Sequence, residues 1–183
     1  MRFLTLSTLA VLSSILVSCG PGIDLPQGTS KGYTSARLTQ GNPNQAVVAD
    51  PVQRGTHGMI QSSLRRQFTA KGLAYGTANA DLIVAYLVIY QETGMTASYD
   101  EYFGYGRSAD AIVDRAHERG VIESKRPDFF RRAGIVIDLI DRKTNKLVYR
   151  NFAAGDVISG ASDTSRAARI DAAIAQALAG FSR

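Results

Sequence analysis

The sequence has 183 residues, a formal net charge of +5 and 45% hydrophobic residues. This composition is that of an ordinary globular protein and excludes collagen-like and wholly disordered classes. At roughly 100–150 residues per domain, the length predicts one compact domain. The only cysteine, Cys19, excludes an intramolecular disulfide, a zinc ribbon and a cysteine nucleophile elsewhere in the chain.

The first residues have the order of a secretory signal. Arg2 is followed by an apolar or small-residue stretch over residues 3–17, which ends just before Cys19. The stretch is shorter than the roughly 20 apolar residues that a membrane-spanning helix needs. Residues 16–19 (LVSC) resemble the lipobox of bacterial lipoproteins. That resemblance implies cleavage before Cys19 and acylation of this cysteine, as with palmitate.

The chain divides into three predicted segments. Residues 20–31 (GPGIDLPQGTSK) are rich in Gly, Pro and polar residues and have no period, which predicts a flexible tether. We therefore expect a signal peptide over residues 1–18, the acylated cysteine and its tether over residues 19–32, and a single folded domain over residues 33–183.

The first predicted elements of the domain are a short strand and a long helix. Residues 33–38 have strand composition. The helix is predicted over about residues 52–71, and Gly72 stands where a helix C-cap is expected. Its apolar residues recur at spacings of three and four: Met59, Ile60, Leu64 and Phe68.

A central strand follows at residues 82–90 (LIVAYLVIY), where β-branched and aromatic residues favour a strand over a helix. Both faces of this strand are apolar. Because side chains alternate across a strand, Ile83 and Leu87 share one face and Tyr86 lies on the other. We expect the aliphatic face of Ile83 and Leu87 to pack against helices, and Tyr86 to point away from them.

A β-hairpin is predicted in the second half of the chain. Apolar side chains alternate over residues 135–140, and strand composition returns at residues 147–150. The polar stretch between them holds Asn145, which tolerates the left-handed conformation of tight hairpin loops. Asp141 opens this stretch and is interpreted as a turn residue, whereas Asp138 lies within the strand.

The last predicted element is a second helix. Ser162 and Asp163 are suitable N-caps, and the helix is expected to run to about Phe181. Its apolar stripe consists of Ile170, Ile174, Ala177, Leu178 and Phe181. Together the elements predict an α+β fold, in which two amphipathic helices pack on one face of a mostly antiparallel sheet of three to five strands.

The predicted fold leaves a second, apolar sheet face. With Tyr86 and Val136 on that face, an apolar surface is exposed unless the loop over residues 96–131 or another molecule covers it. Burial by the chain itself is the commoner fate of such a surface. Self-association of two copies through this face is the alternative.

Five stretches of the domain together resemble the DUF4136 family of bacterial envelope lipoproteins. The resemblance covers about residues 59–183. It implies an envelope lipoprotein of uncharacterised activity, and it carries no catalytic residues over to this sequence. The stretches are residues 80–86 (ADLIVAY), 102–106 (YFGYG), 138–141 (DLID), 144–150 (TNKLVYR) and 169–174 (RIDAAI).

Aromatic rings crowd the segment that follows the central strand. These rings can stack on sugar rings or anchor a protein partner, which predicts a partner-binding site. The alternative is that the same rings cover the sheet. The predicted binding residues are Tyr99, Tyr102, Phe103, Tyr105 and Arg107.

No residue set in the sequence has the spacing of a metal site or a hydrolase motif. The two histidines, His57 and His117, lack ligand spacing and are expected on the surface. We expect no catalytic residue, no metal and no cofactor. The alternative function is an envelope hydrolase that acts on cell-wall or lipid substrate through carboxylates such as Asp100, Glu101 and Asp138.

We therefore expect a non-catalytic binding or assembly module anchored to the membrane through acylated Cys19. The expected location is the cell envelope, at the outer membrane and facing the periplasm. Partners would be an envelope protein or a glycan, or a second copy of the chain. Nucleic acid is not expected, because arginines pair only at residues 65–66 and 131–132 and form no basic stripe.

Overall fold

The structure is a computed structural model that describes residues 26–39, 51–92, 95–98 and 131–182. Within these ranges the chain forms six strands and two helices. In chain order they are β1 (Ser35–Leu38), α1 (Pro51–Ala70), β2 (Ala74–Tyr75), β3 (Leu82–Glu92), β4 (Met95–Ser98), β5 (Arg131–Asp141), β6 (Lys146–Val157) and α2 (Asp163–Ala177).

The strands form one mixed sheet in the order β2-β1-β3-β5-β6, with β4 paired to β3. Strands β3, β5 and β6 are antiparallel neighbours, whereas β1 is parallel to both β2 and β3. The α+β fold with two helices is confirmed. The expectation of a mostly antiparallel sheet of three to five strands is wrong in detail, because the sheet is mixed and has six strands. Helix α1 returns the chain to the end of the sheet where β1 begins, so β2 and β3 run parallel to β1.

Helix α1 matches its prediction closely. Ile60, Leu64 and Phe68 are buried in the core. After the last turn Gly72 has a φ of 79°, a conformation that a residue without Cβ adopts without strain. The backbone N–H of Leu73 donates to the carbonyl of Phe68 at 3.0 Å, which closes the helix end as a Schellman motif.

Helix α2 begins as predicted and ends earlier. The hydroxyl of Ser162 accepts a hydrogen bond from the backbone N–H of Ser165 at 3.3 Å and caps the helix. The helix ends at Ala177 rather than near Phe181. Phe181 is nevertheless fully buried, because the turn after the helix keeps its side chain against the sheet.

The face of β3 that packs against the helices is opposite to the predicted one. Val84, Tyr86 and Val88 belong to the core with the two helices, whereas Ile83 and Leu87 point to the other face. Both faces are apolar, so hydrophobic pattern alone does not choose between them. The hydroxyl of Tyr86 determines which face turns toward the helices, since a buried hydroxyl needs a hydrogen-bond partner and His57 of α1 supplies one.

The second face of the sheet is buried as well. Ala85, Leu87 and Val136 have at most 1% exposure. Val136 is the direct partner of Leu87, so it lies on the face opposite to Tyr86, and the predicted grouping of Tyr86 with Val136 is wrong. Neither described helix packs on this face. It also holds a buried ion pair across β5 and β6, in which Arg150 Nε donates to Asp138 Oδ1 at 2.5 Å.

The outer edge of β6 is paired with the beginning of the described chain. Of the segment predicted as a tether, the structure describes residues 26–32. The N–H of Gly28 donates to the carbonyl of Val148 at 2.8 Å, and the N–H of Arg150 donates to the carbonyl of Pro26 at 2.9 Å. A Cβ on Gly28 would lie 2.3 Å from the carbonyl oxygen of Val148, so this close approach requires glycine.

Candidate functional site

A cavity of about 250 Å³ opens between the helices and one end of the sheet. The N-terminal halves of α1 and α2 form two of its walls, and the adjoining ends of β3, β5 and β6 form the third. The lining is mostly apolar, with core residues such as Ile60, Val88 and Ile135 at the back. Concave apolar spaces of this kind are where proteins bind small ligands.

Small side chains on the sheet create this space. On the face that carries Ile135, the positions toward the strand ends are Ala133 on β5 and its direct partner Gly155 on β6. A Cβ built on Gly155 meets no atom within 4 Å. The helices therefore span a region of the sheet that no side chain fills.

Two large hydrophobic side chains stand at the rim of the cavity. Val52, at the start of α1, is 57% exposed, and Ile158, after β6, is 45% exposed. Among the described residues these are the large hydrophobic side chains classed as exposed, and both line the same opening. Apolar side chains gathered around an apolar opening are typical of a binding site.

Two arginines of α2 supply charge to the cavity. Arg166 donates from Nη2 to Asp163 Oδ1 at 2.5 Å, and Arg169 Nη1 lies 3.5 Å from the carbonyl oxygen of Asp156. The Asp163 side chain is 79% exposed. Solvent therefore screens the ion pair, which holds Arg166 only weakly.

A second depression lies at the β1–β2 edge of the sheet. Three arginines line it, Arg37, Arg65 and Arg66, together with Tyr75. Burial, above all, raises the pKa of Tyr75 to about 12. This lining is more polar than apolar, so the depression offers a ligand positive charge and a smaller apolar share than the first cavity does. The apolar cavity is therefore the stronger candidate site.

His57 lies on the buried side of α1, so the expectation of a surface histidine there is wrong. It is 7% exposed, and its Nδ1 lies 2.8 Å from the hydroxyl oxygen of Tyr86. Gln61 Nε2 donates to the same hydroxyl at 3.4 Å. The three side chains fasten the first half of α1 to β3 and thereby fix one wall of the cavity.

The two helices are fastened to each other by Asp171. Its Oδ1 accepts from Ser63 Oγ at 2.5 Å and from Arg66 Nη2 at 2.8 Å, and its Oδ2 accepts from Gln67 Nε2 at 3.4 Å. These hydrogen bonds, that from Ser63 first, lower the pKa of the Asp171 carboxyl. The bonds between helices hold the two helical walls of the cavity in place.

Of the carboxylates singled out in the sequence, the structure describes Asp138 and Asp141, and neither lines this cavity. Asp138 is fully buried in its pair with Arg150 on the opposite sheet face. Asp141 accepts hydrogen bonds from the backbone N–H groups of Lys143 and Thr144, both at 2.8 Å, as expected of a turn residue. The described ranges hold no group of three or more side chains that is able to bind a metal ion.

The predicted partner-binding residues lie outside the described residues, and so do Cys19, Asp100, Glu101 and His117. Their roles stay predictions. The partner-binding set is Tyr99, Tyr102, Phe103, Tyr105 and Arg107. No helix in the parts of the chain that the structure describes is long and apolar enough to cross a membrane.

Sequence reasoning missed the apolar cavity. The available signal was the run of small residues at Ala133 and Gly134 together with Gly155, since small side chains at strand ends leave space under a helix. An apolar Val52 ahead of the predicted helical stripe was a second signal.

Residues 47–181 match the family model described as "Domain of unknown function (DUF4136)". The match spans more than half of the chain. This chain belongs to the DUF4136 family. The resemblance found in the sequence is thereby confirmed, and the family description assigns no activity to its members. None of the curated proteins compared with this DUF4136 chain matches it.

Several solved structures share low overall similarity with this DUF4136 chain. A PDZ domain protein from Parabacteroides distasonis has 11% identity and a TM-score of 0.44, and the match covers 79% of this chain and 31% of that protein. This chain thus spans about a third of its length. A PelC dodecamer from Paraburkholderia phytofirmans has 12% identity and a TM-score of 0.43, with 88% and 95% coverage. A PelC variant from the same organism gives 14% identity and a TM-score of 0.40.

Proposed function

We propose that this DUF4136 protein is a membrane-anchored envelope protein whose domain binds an apolar ligand, without catalysis, in the cavity between α1, α2 and the sheet. The observation that carries the proposal is the open apolar cavity with Val52 and Ile158 exposed at its rim. Leaving two large apolar side chains in water forgoes their burial energy, of order 1–2 kcal/mol each. A ligand that covers them would recover that energy on binding.

The rigidity of the walls supports a binding role. Asp171 joins α1 to α2, and His57 and Gln61 join α1 to Tyr86 of the sheet. A site whose walls are held in place before the ligand arrives loses less conformational entropy on binding. Binding of an apolar group in this cavity would therefore cost less entropy than binding between free helices.

The content of the lining supports a role without catalysis. Among the described residues that line the cavity, Asp156 is the one carboxylate, and no histidine, cysteine or serine accompanies it. Hydrolysis of a glycosidic bond by acid and base requires two carboxyl groups that flank the bond. The lining is instead suited to holding an apolar group.

The N-terminal sequence supports membrane anchoring. If the lipobox at residues 16–19 is processed, six residues separate acylated Cys19 from Pro26, the first residue paired with β6. Fully extended, the seven Cα–Cα steps from Cys19 to Pro26 reach about 25 Å. The domain would then stay close to the membrane, where apolar ligands are abundant.

Binding of an uncharged fluorescent probe tests the proposal. We expect N-phenyl-1-naphthylamine to gain fluorescence with the native protein, because the probe would enter an apolar site. Ala173→Leu, which adds volume to the cavity lining, should abolish the gain. Ala172→Leu, at the adjacent exposed position of α2, is the matched control and should retain it. Equal probe fluorescence with both variants would contradict the proposal.

A further inference from the structure

The charged residues of the cavity lining point to a class of ligand. Arg166 and Arg169 are three residues apart on α2, so they share one side of the helix. They are the cationic side chains among the described lining residues, and Asp156, an exposed residue, is the acidic one. Two guanidinium groups therefore face one carboxylate within the lining, and the second carboxylate beside them, Asp163, lies outside the lining and is 79% exposed.

Both guanidinium groups retain hydrogen-bonding capacity. An arginine has five N–H donors. The Nε of Arg166 is buried and has no partner in the described part of the chain, and its Nη2 bonds to the exposed Asp163. The bond from Arg169 to the backbone, at 3.5 Å, is at the limit of hydrogen-bond length. An anionic group at this wall would therefore find donors that the protein does not fully use.

The volume of the cavity limits the apolar part of the ligand. About 250 Å³ exceeds the roughly 150 Å³ of an engineered cavity that takes up benzene. It is below the usual range for drug-sized ligands, which begins at about 300 Å³. This volume suits one alkyl chain of medium length and is too small for the paired chains of a phospholipid.

We infer that the cavity binds a free fatty acid of medium chain length, whose alkyl chain lies against the apolar walls and whose carboxylate contacts Arg166 and Arg169. The inference rests on the proposed function, because it names the ligand class of the same cavity. Arginine suits this role, since its planar donors match the two oxygens of a carboxylate. Ile158 and Val52 would cover the chain where it enters.

Photo-labelling of the full chain in phosphatidylcholine vesicles tests the inference. The probe is decanoic acid with a diazirine on its chain, and the comparison probe is the alcohol of the same chain. We expect the acid to label peptides from the end of β6 and from α2 about tenfold more strongly than the alcohol does. The alcohol lacks a hydrogen bond between charged groups, and the loss of one such bond lowers affinity about tenfold.

Variants of the arginines separate charge recognition from mere hydrophobic uptake. Replacing both arginines, Arg166→Gln with Arg169→Gln, should remove the preference for the acid, while Arg169→Lys, which keeps the charge, should retain part of it. Arg65→Gln, outside the cavity, is the control and should change nothing. Thermal unfolding of each variant, followed by circular dichroism, checks that the fold survives.

The outcomes distinguish this inference from the proposed function. Equal labelling by acid and alcohol would overturn the fatty-acid inference and leave an apolar binding site in place. Labelling of the same peptides by a diazirine phosphatidylglycerol in preference to the free acid would overturn the single-chain assignment. Absence of labelling at the cavity by all three probes would overturn both the inference and the proposed function.

Discussion

The two ends of the helix-facing side of β6 differ in how well they are filled. At one end Tyr149 is fully buried, its ring centroid lies 5.3 Å from that of Phe181, and its hydroxyl donates to the carbonyl of Ala177 at 2.6 Å. Farther along the same strand face stand Ala153, which is still part of the core, and Gly155, which lines the cavity. One layer of helices thus covers a closed core at one end and an open site at the other.

The difference shows how a binding site arises from side-chain size on a regular scaffold. The strand pairing continues through both ends, since β5 and β6 stay in register from the Leu139–Tyr149 pair to the Arg131–Val157 pair. What changes is the volume of the side chains on this face of β6, which falls from Tyr149 at one end to Gly155 at the other. The filled end is expected to supply stability, and the open end to supply function.

The largest effect on stability is expected at the filled end. Tyr149→Ala removes a buried ring and its hydroxyl bond to the end of α2, which should lower the free energy of unfolding by about 3–5 kcal/mol. Urea denaturation followed by circular dichroism measures this loss. A loss below about 1 kcal/mol would mean that the two ends do not differ in packing.

A smaller loss is expected where the N-terminal segment joins the edge of β6. In Gly28→Ala the new Cβ would collide with the carbonyl of Val148, so residues 26–30 should leave the edge. The two backbone hydrogen bonds lost there are worth about 1–3 kcal/mol together.

Hydrogen exchange at the amide of Arg150 reports this release directly. We expect faster exchange in Gly28→Ala and no change in Thr29→Ala, whose exposed side chain makes no such close approach. Protection of Arg150 that is unchanged in Gly28→Ala would show that the segment does not depend on glycine at this position.

Acid should weaken the end of the sheet near β1. Hydrogen bonds, led by those from the backbone and hydroxyl of Thr34, lower the pKa of Asp81 to about 2. Because the unfolded value is about 3.9, this carboxylate stabilises the fold fully above pH 4 and progressively less as the pH falls toward 2. The free energy of unfolding of Asp81→Asn should therefore change less between pH 4 and pH 2 than that of the native protein. Acid titration of the circular dichroism signal measures this difference.

The smallest effect on stability is expected at the open end. Gly155→Val places its side chain where a Cβ meets no atom within 4 Å, so the free energy of unfolding should change by less than about 1 kcal/mol. The same substitution should nevertheless reduce binding of an apolar probe. A loss comparable with that of Tyr149→Ala would show that the space at Gly155 is filled in the native protein.

Much of the fold follows from local sequence pattern. Spacing of three and four located α1 with its glycine cap at Gly72, and Ser162 located the start of α2. The hairpin between β5 and β6 was predicted from Asn145, which has a φ of 54°. These features depend on neighbours in the chain, so the sequence contains the information that specifies them.

Features that depend on distant partners were not predictable in the same way. Both faces of β3 are apolar, and only the meeting of Tyr86 with His57 selects the face toward α1. The pair of Asp138 with Arg150 needs the register of two strands. The candidate site escaped prediction because it is an unfilled space, formed by small residues on separate strands and bounded by two helices.

Methyl NMR of the protein during titration with decanol tests most directly whether the open end is a binding site. We expect progressive shifts at the rim methyls of Val52 and Ile158 and at the wall methyls of Ile60 and Ile135, with no shift at Ile83 on the other sheet face. These shifts should disappear in Ala173→Leu and persist in Ala172→Leu. Shifts that are absent at the rim, or equal at Ile83, would contradict a binding site between the helices and the sheet.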